Sequence, residues 1–142
     1  MRPGLSFEWV IGSCRLLGQI REEFERTRPF AGLRIGTGIH LEPKTVALLL
    51  TLARGGAEVI STGNLNTTQQ EALDYLAGHG VRPIGSPTSD PAEQDVYLRE
   101  VLTAEPQLLL DNGGDLFVRW LESPYDDLVG GTEETTSGRM RL

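Results

Sequence analysis

Leu33-Arg34-Ile35-Gly36-Thr37-Gly38-Ile39 is a strand-like run that stops abruptly in His40-Leu41-Glu42-Pro43-Lys44. A second junction of the same kind lies where Leu108-Leu109-Leu110 runs into Asp111-Asn112-Gly113-Gly114-Asp115. In an open α/β sheet, ligands bind beyond the carboxyl ends of the strands, because helix N-termini and connecting loops converge there. A histidine, a lysine and several carboxylates gathered at two such ends, rather than scattered, mark a binding or catalytic crevice.

Outward from Leu33–Ile39 the pattern alternates. Pro43 to Arg54 reads as a helix, with proline in its first turn and Gly55-Gly56 at its end. Ala57 to Ser61 is a second strand, and Thr67 to Ala77 a helix stopped by Gly78-His79-Gly80. Val81 to Ile84 is a short third strand. Asp90-Pro91 opens a helix running to about Ala104, and Gln107 to Leu110 is the fourth strand. Before the first strand, Arg15 to Thr27 is an amphipathic helix with Leu16, Leu17, Ile20 and Phe24 on one face. Strands alternating with helices imply right-handed βαβ units. The expected fold is α/β, a Rossmann-like three-layer sandwich with a mostly parallel sheet. Residues 1–14 are expected to form a poorly anchored arm, and 15–142 a single domain.

The chain has 142 residues, enough to bury a real core. Its net charge of −7 argues against nucleic acid or an anionic membrane surface as partner. Lys44 is the only lysine, so it stands out in a site-like segment. The single cysteine, Cys14, excludes an internal disulfide, and no Cys/His cluster has metal-ligand spacing. With no signal peptide at Met1-Arg2-Pro3-Gly4 and no apolar run of membrane-spanning length, a cytoplasmic location is expected. Gly36-Thr37-Gly38 sits where a dinucleotide fingerprint would begin, but Leu41 occupies the third glycine position, so the fingerprint is lacking.

Six blocks, in order, carry a family resemblance. They are Leu17-Gly18-Gln19-Ile20-Arg21-Glu22-Glu23-Phe24 with Arg28-Pro29-Phe30-Ala31-Gly32; Ile39-His40-Leu41-Glu42-Pro43-Lys44-Thr45; Gly56-Ala57-Glu58-Val59; Asn64-Leu65-Asn66-Thr67-Thr68-Gln69; Asp111-Asn112-Gly113-Gly114-Asp115-Leu116; and Glu133-Glu134-Thr135-Thr136-Ser137-Gly138. Together they resemble S-adenosylhomocysteine hydrolase (adenosylhomocysteinase) over roughly residues 14 to 142. The His-Leu-Glu-x-Lys-Thr form is similar to the archaeal and thermophilic-bacterial branch.

The resemblance implies an enzyme that holds NAD, oxidises the ribose 3′-hydroxyl of S-adenosylhomocysteine and thereby acidifies C4′. Homocysteine is eliminated, water adds, and reduction gives adenosine. His40 matches the family histidine near the 5′ leaving group, an acid/base role that suits an imidazole. Asn112 stands where the family has an aspartate partner of that histidine, and an amide cannot take up a proton at neutral pH. Glu134 matches the glutamate that hydrogen-bonds the ribose hydroxyls. Thr135, Thr136 and Ser137 match the run that touches NAD. Glu42 and Lys44 fall where the purine edge is read, and a lysine, which only donates, admits an inosyl ligand. Asn64, Thr68, Gln69, Asp111 and Asp115 complete the implied substrate-binding set. The expected partners are adenosine, S-adenosylhomocysteine or an inosine analogue, and a homo-oligomer. The sequence stops before the family's NAD-binding domain, so the expectation is an isolated substrate domain that does not turn over alone.

Blander readings stand beside these. His40 has the alternative of a satisfied histidine at a strand end, and Glu42 and Lys44 that of solvated charges on a first helical turn. Asp111 and Asp115 are also candidate caps for a helix over Leu116 to Leu121, Asp115 above all. Gly113-Gly114 serves equally well as a tight turn. Functionally, a non-catalytic nucleoside-binding or regulatory module and an oligomer-interaction domain remain open beside the enzyme domain.

Overall fold

The structure, a computed structural model, describes residues 3–142, with side chains from residue 7 onward. Two helices precede the sheet, α1 (Pro3–Ser13) and α2 (Arg15–Thr27). Then β1 (Arg34–Gly38), α3 (Pro43–Arg54), β2 (Glu58–Thr62), α4 (Gln70–Ala77), β3 (Arg82–Pro83), α5 (Pro91–Thr103) and β4 (Leu108–Asp111) alternate. The chain continues through α6 (Asp115–Glu122), β5 (Gly130–Glu133) and α7 (Thr136–Arg141). The five strands form one sheet in the order β3-β2-β1-β4-β5, and every pairing is parallel.

Two cores, one on each face of the sheet, make the three layers. On one side Phe7, Leu49, Leu76 and Ile35 bring α1, α3 and α4 against the strands. On the other, Leu98, Val101 and Leu116 of α5 and α6 pack on Ile60 and Leu109. Alternation along β1 divides its side chains between these cores, as the two-residue period of a strand requires. Gly36 and Gly38 face α5 and α6, where a Cβ on Gly36 would lie 2.7 Å from Pro106 Cγ and 3.0 Å from Val101 Cγ1. At Gly38 a Cβ would meet Leu116 and Leu98 at 3.2 Å. The Gly-Thr-Gly segment thus exists to let two helices approach the sheet. Its glycines are covered by side chains and form no phosphate cradle.

Four expectations change. The N-terminal arm is helical from Pro3, and Phe7 and Ile11 are buried, with the Phe7 ring stacked on Tyr75 at 5.4 Å; residues 1 and 2 lie outside the described residues. An apolar helix that covers part of α3 and α4 is anchored by burial, not by its sequence neighbours. A fifth strand, β5, extends the sheet at the β4 edge, and the third strand shrinks to Arg82–Pro83. The helix expected from Thr67 starts at Gln70, because Asn64 to Gln69 form a loop held by the Thr67 and Thr68 hydroxyls on the Asn64 carbonyl, at 3.3 and 3.1 Å. Among the described residues, no helix is long and apolar enough to cross a membrane.

Candidate functional site

The strand order reverses between β1 and β4: β1 leads into α3 on one face, and β4 into α6 on the other. Such a switch point opens a crevice between the diverging loops. Gly38 and Asp111 are register partners across it. His40 and Asn112 therefore leave the sheet from adjacent strand ends.

The β1 side of the crevice is built around His40. Thr45, in the first turn of α3, fastens the corner: its hydroxyl lies 2.5 Å from the His40 carbonyl and 2.9 Å from that of Glu42. It also accepts the Glu42 N–H at 3.0 Å. The His40 Nδ1 is 2.7 Å from the Thr67 hydroxyl, which in turn reaches the Asn64 carbonyl. The Gln69 N–H donates to the Leu41 carbonyl at 3.2 Å and closes the loop onto the corner. The resulting cavity of about 360 Å³ is lined by His40, Glu42, Asn66, Thr67, Thr68 and Gln69. Asn64 is buried below it, with its amide 3.5 Å from the Gly38 carbonyl and its Oδ1 without a partner among the described residues.

The β4 side begins with Asp111, 1% exposed. Its carboxylate accepts the N–H groups of Asn112, Leu116 and Phe117 at 2.9 to 3.0 Å. It supplies the acceptors that the first turn of α6 lacks. Burial pushes the Asp111 carboxyl above its ordinary range, the three amides and the nearby Glu133 acting on it in opposite directions. Asp115, expected as the cap, is instead the first residue of α6, and its carboxylate meets Arg141 at 2.8 Å on the outer rim. The reason is backbone conformation: Gly114 precedes the helix in the left-handed region, so the capping acceptor must reach back from Asp111.

Next to this turn, the end of β5 contributes Glu133, and the two residues between it and α7 are Glu134 and Thr135. Glu133 accepts the N–H groups of Gly113, Gly114 and Thr135, each at 2.9 Å, and the Thr135 hydroxyl at 2.8 Å. Burial pushes Glu133 upward, but these donors outweigh it and hold the carboxyl below the usual glutamate range. The Glu134 N–H donates to the Asp111 carbonyl at 3.0 Å, and its carboxylate accepts the Asn112 amide at 3.5 Å. A second cavity, of about 280 Å³, is lined by Ile39, Thr45, Leu48, Asp111, Glu133 and Glu134, among others. Consecutive residues serve the two cavities, His40 lining the first and Ile39 the second.

Of the residues singled out in the sequence, His40, Glu42, Thr68 and Gln69 share the first cavity, and Asp111 and Glu134 the second, with Asn112 between Asp111 and Glu134. Lys44 is exposed on α3 and lines neither cavity, and Asp115 lies outside both. The Thr135 hydroxyl is taken up as the cap of α7, accepting the Gly138 N–H at 2.9 Å, whereas Thr136 and Ser137 are exposed. Two residues escaped the sequence reading. Thr67 had only its place beside Thr68 to recommend it, and Glu133 looked like half of an acidic pair. Among the described residues, no group of three or more His, Cys, Asp or Glu is placed to hold a metal ion.

A doubly wound parallel sheet with polar side chains just beyond its switch point defines a Rossmann-like domain, a fold class that binds ligands at that place. A family model described as S-adenosyl-L-homocysteine hydrolase matches residues 14–129. The chain is 38% identical over 139 residues to an adenosylhomocysteinase of Archaeoglobus fulgidus, covering 95% of this chain and 34% of that protein. It is 37% identical over 142 residues to an adenosylhomocysteinase of Thermotoga maritima, covering 97% and 35%. It is 40% identical over 138 residues to an S-inosyl-L-homocysteine hydrolase of Methanothermobacter thermautotrophicus, covering 94% and 33%. The chain belongs to the S-adenosyl-L-homocysteine hydrolase family, and it spans about a third of the length of these relatives.

Proposed function

We propose that the crevice between β1 and β4 binds the nucleoside part of an S-adenosyl- or S-inosyl-homocysteine, and that residues 15–142 act as the substrate-binding domain of a hydrolase acting on that thioether. The observation that supports this reading is that His40 follows the end of β1 and the Asn112–Glu134 pair lies at the adjacent end of β4. Glu134 offers a carboxylate to a ribose diol, and Asn112 offers an amide that both donates and accepts. His40 keeps Nδ1 on Thr67 and leaves Nε2 free of protein partners among the described residues. That nitrogen is available to exchange a proton with the ligand's 5′ substituent. With an amide at position 112, proton transfer on this side rests on the imidazole.

NAD is the cofactor that the family reading brings. Gly36 and Gly38 are filled by packing and do not fit its pyrophosphate. Thr136 and Ser137, exposed at the start of α7, fit as hydroxyl donors to a dinucleotide held mainly by other parts of the enzyme. When bound, the cofactor would accept hydride from the ribose 3′ carbon. Homo-oligomer formation belongs to the same reading, and sedimentation checks it.

The names of the relatives divide between adenosyl and inosyl substrates, so both nucleosides enter the test. Calorimetric titration with adenosine and with inosine is expected to give saturable binding of at least one, weakened roughly tenfold by His40→Ala and by Glu134→Gln. Heats at the level of dilution for both nucleosides would end the proposal.

A further inference from the structure

The Glu133 carboxylate accepts from four donors, one more than Asp111, yet the proposed chemistry gives it no role. It is the register partner of Asp111, so it stands at the end of β5 directly beside the β4 exit. From there its carboxylate reaches under the next turn and takes the amides of Gly113 and Gly114, both in the left-handed region with φ of 78° and 73°. Successive glycine amides pointing at one anion form a concave nest, and here the anion is the protein's own. The same carboxylate takes the Thr135 N–H and hydroxyl. One side chain thereby ties the backbone on both sides of the two ligand-facing groups: Asn112 sits immediately before the nest, and Glu134 lies between Glu133 and Thr135. The fit is tight, since a Cβ on Gly138 would fall 2.2 Å from Glu133 Oε1.

We infer that Glu133 is a positioning residue for sugar recognition: its carboxylate, held by the Gly113, Gly114 and Thr135 donors, sets the spacing at which Asn112 and Glu134 meet the ribose hydroxyls. This rests on the nucleoside reading of the crevice. Glu133 lines the second cavity, but both of its carboxylate oxygens are taken up by the protein's own donors. Its neutral amide analogue keeps Oε1 as an acceptor but presents an N–H₂ to the Gly114 N–H that Oε2 now accepts, which opens the turn. The lost alignment acts on the sugar hydroxyls and leaves contacts to the base unchanged.

The test compares adenosine with 2′,3′-dideoxyadenosine, and inosine with 2′,3′-dideoxyinosine, by calorimetry on the full chain. Wild-type protein is expected to prefer the intact sugar. In Glu133→Gln that preference falls roughly tenfold while dideoxynucleoside affinity holds, a pattern that a general loss of structure does not produce. Gly138→Ala, which presses on the carboxylate from the other side, serves as the second variant and is expected to act in the same direction. If wild type prefers the intact sugar and both folded variants keep that preference, the positioning role is wrong and the nucleoside reading stands. An equal loss for intact and dideoxy ligands also overturns it. No preference in the wild-type chain removes the nucleoside reading and this role with it.

Discussion

The Asp111 carboxylate accepts the Leu116 N–H through both oxygens, at 3.0 and 2.9 Å, and so joins the end of β4 to the start of α6 across the glycine turn. The bond is made inside the core, where neither partner has water as a substitute. Strand exit, turn and helix start are therefore one unit, and Asn112 is carried on it.

Replacing that carboxylate is expected to be expensive. Asp111→Ala leaves the buried N–H groups of Leu116 and Phe117 without an acceptor and should destabilise the fold by about 1–3 kcal/mol. Asp115→Ala removes only partly exposed ion pairs with Arg141 and Arg119 and should cost less than about 1 kcal/mol. Urea unfolding of the two variants checks the order; equal costs would mean that Asp115 is the working cap after all.

Acid should act on two neighbouring carboxylates with opposite sign. Glu133 sits below its ordinary 4.5, so the unfolded chain takes up this proton first, and the stability it contributes is lost as pH falls below that value. Asp111 sits above its ordinary 3.8, so the native state takes up this proton first, and falling pH favours folding through this group. Glu133→Gln is expected to flatten the loss of stability between about pH 6 and pH 3, and Asp111→Asn to steepen it. Urea midpoints recorded across that range give the two slopes.

The glycines of β1 should behave as packing residues. Gly36→Ala places a methyl group against Pro106 and Val101 and is expected to cost about 1–3 kcal/mol by overpacking. Its affinity for nucleoside, measured where the variant is folded, should stay within about twofold of wild type, because the segment contributes no ligand contact. A selective loss of binding with unchanged stability would restore Gly36 to the site.

The first helix should count as core. Phe7 is 2% exposed and stacks on Tyr75, so Phe7→Ala is expected to destabilise the fold by about 3–5 kcal/mol. Trp9→Ala, at a side chain 72% exposed on the same helix, should be nearly neutral. Thermal unfolding of both variants decides whether α1 folds with the rest.

What was legible in the sequence was the alternation, and with it the place of the site. The runs that end at His40 and at Asp111 are β1 and β4, the two strands that flank the switch point. The elements that were missed lack a local signal. Gly130-Gly131-Thr132-Glu133 has neither a β-branched run nor an apolar alternation, and it is a strand because β4 offers it a partner edge. The α1 segment reads as a loose tail until Phe7 finds Tyr75, a contact that only the fold creates. Capping went to Asp111 because two consecutive left-handed glycines reverse the chain, a conformation that glycine permits and composition does not announce. Thr67 and Glu133 act through tertiary hydrogen bonds to His40 and to Gly113 and Gly114, which no spacing rule reports.

The pairing of β1 with β4 has a consequence for how the molecule comes into being. β1 and β2 are joined through a single helix and can dock early, whereas β1 must wait for β4, with three helices and two strands between them, before Gly38 meets Asp111. Closing the longer loop carries the larger entropic penalty, so the second half of the sheet assembles late. The crevice between β1 and β4 is then among the last features the folding chain acquires.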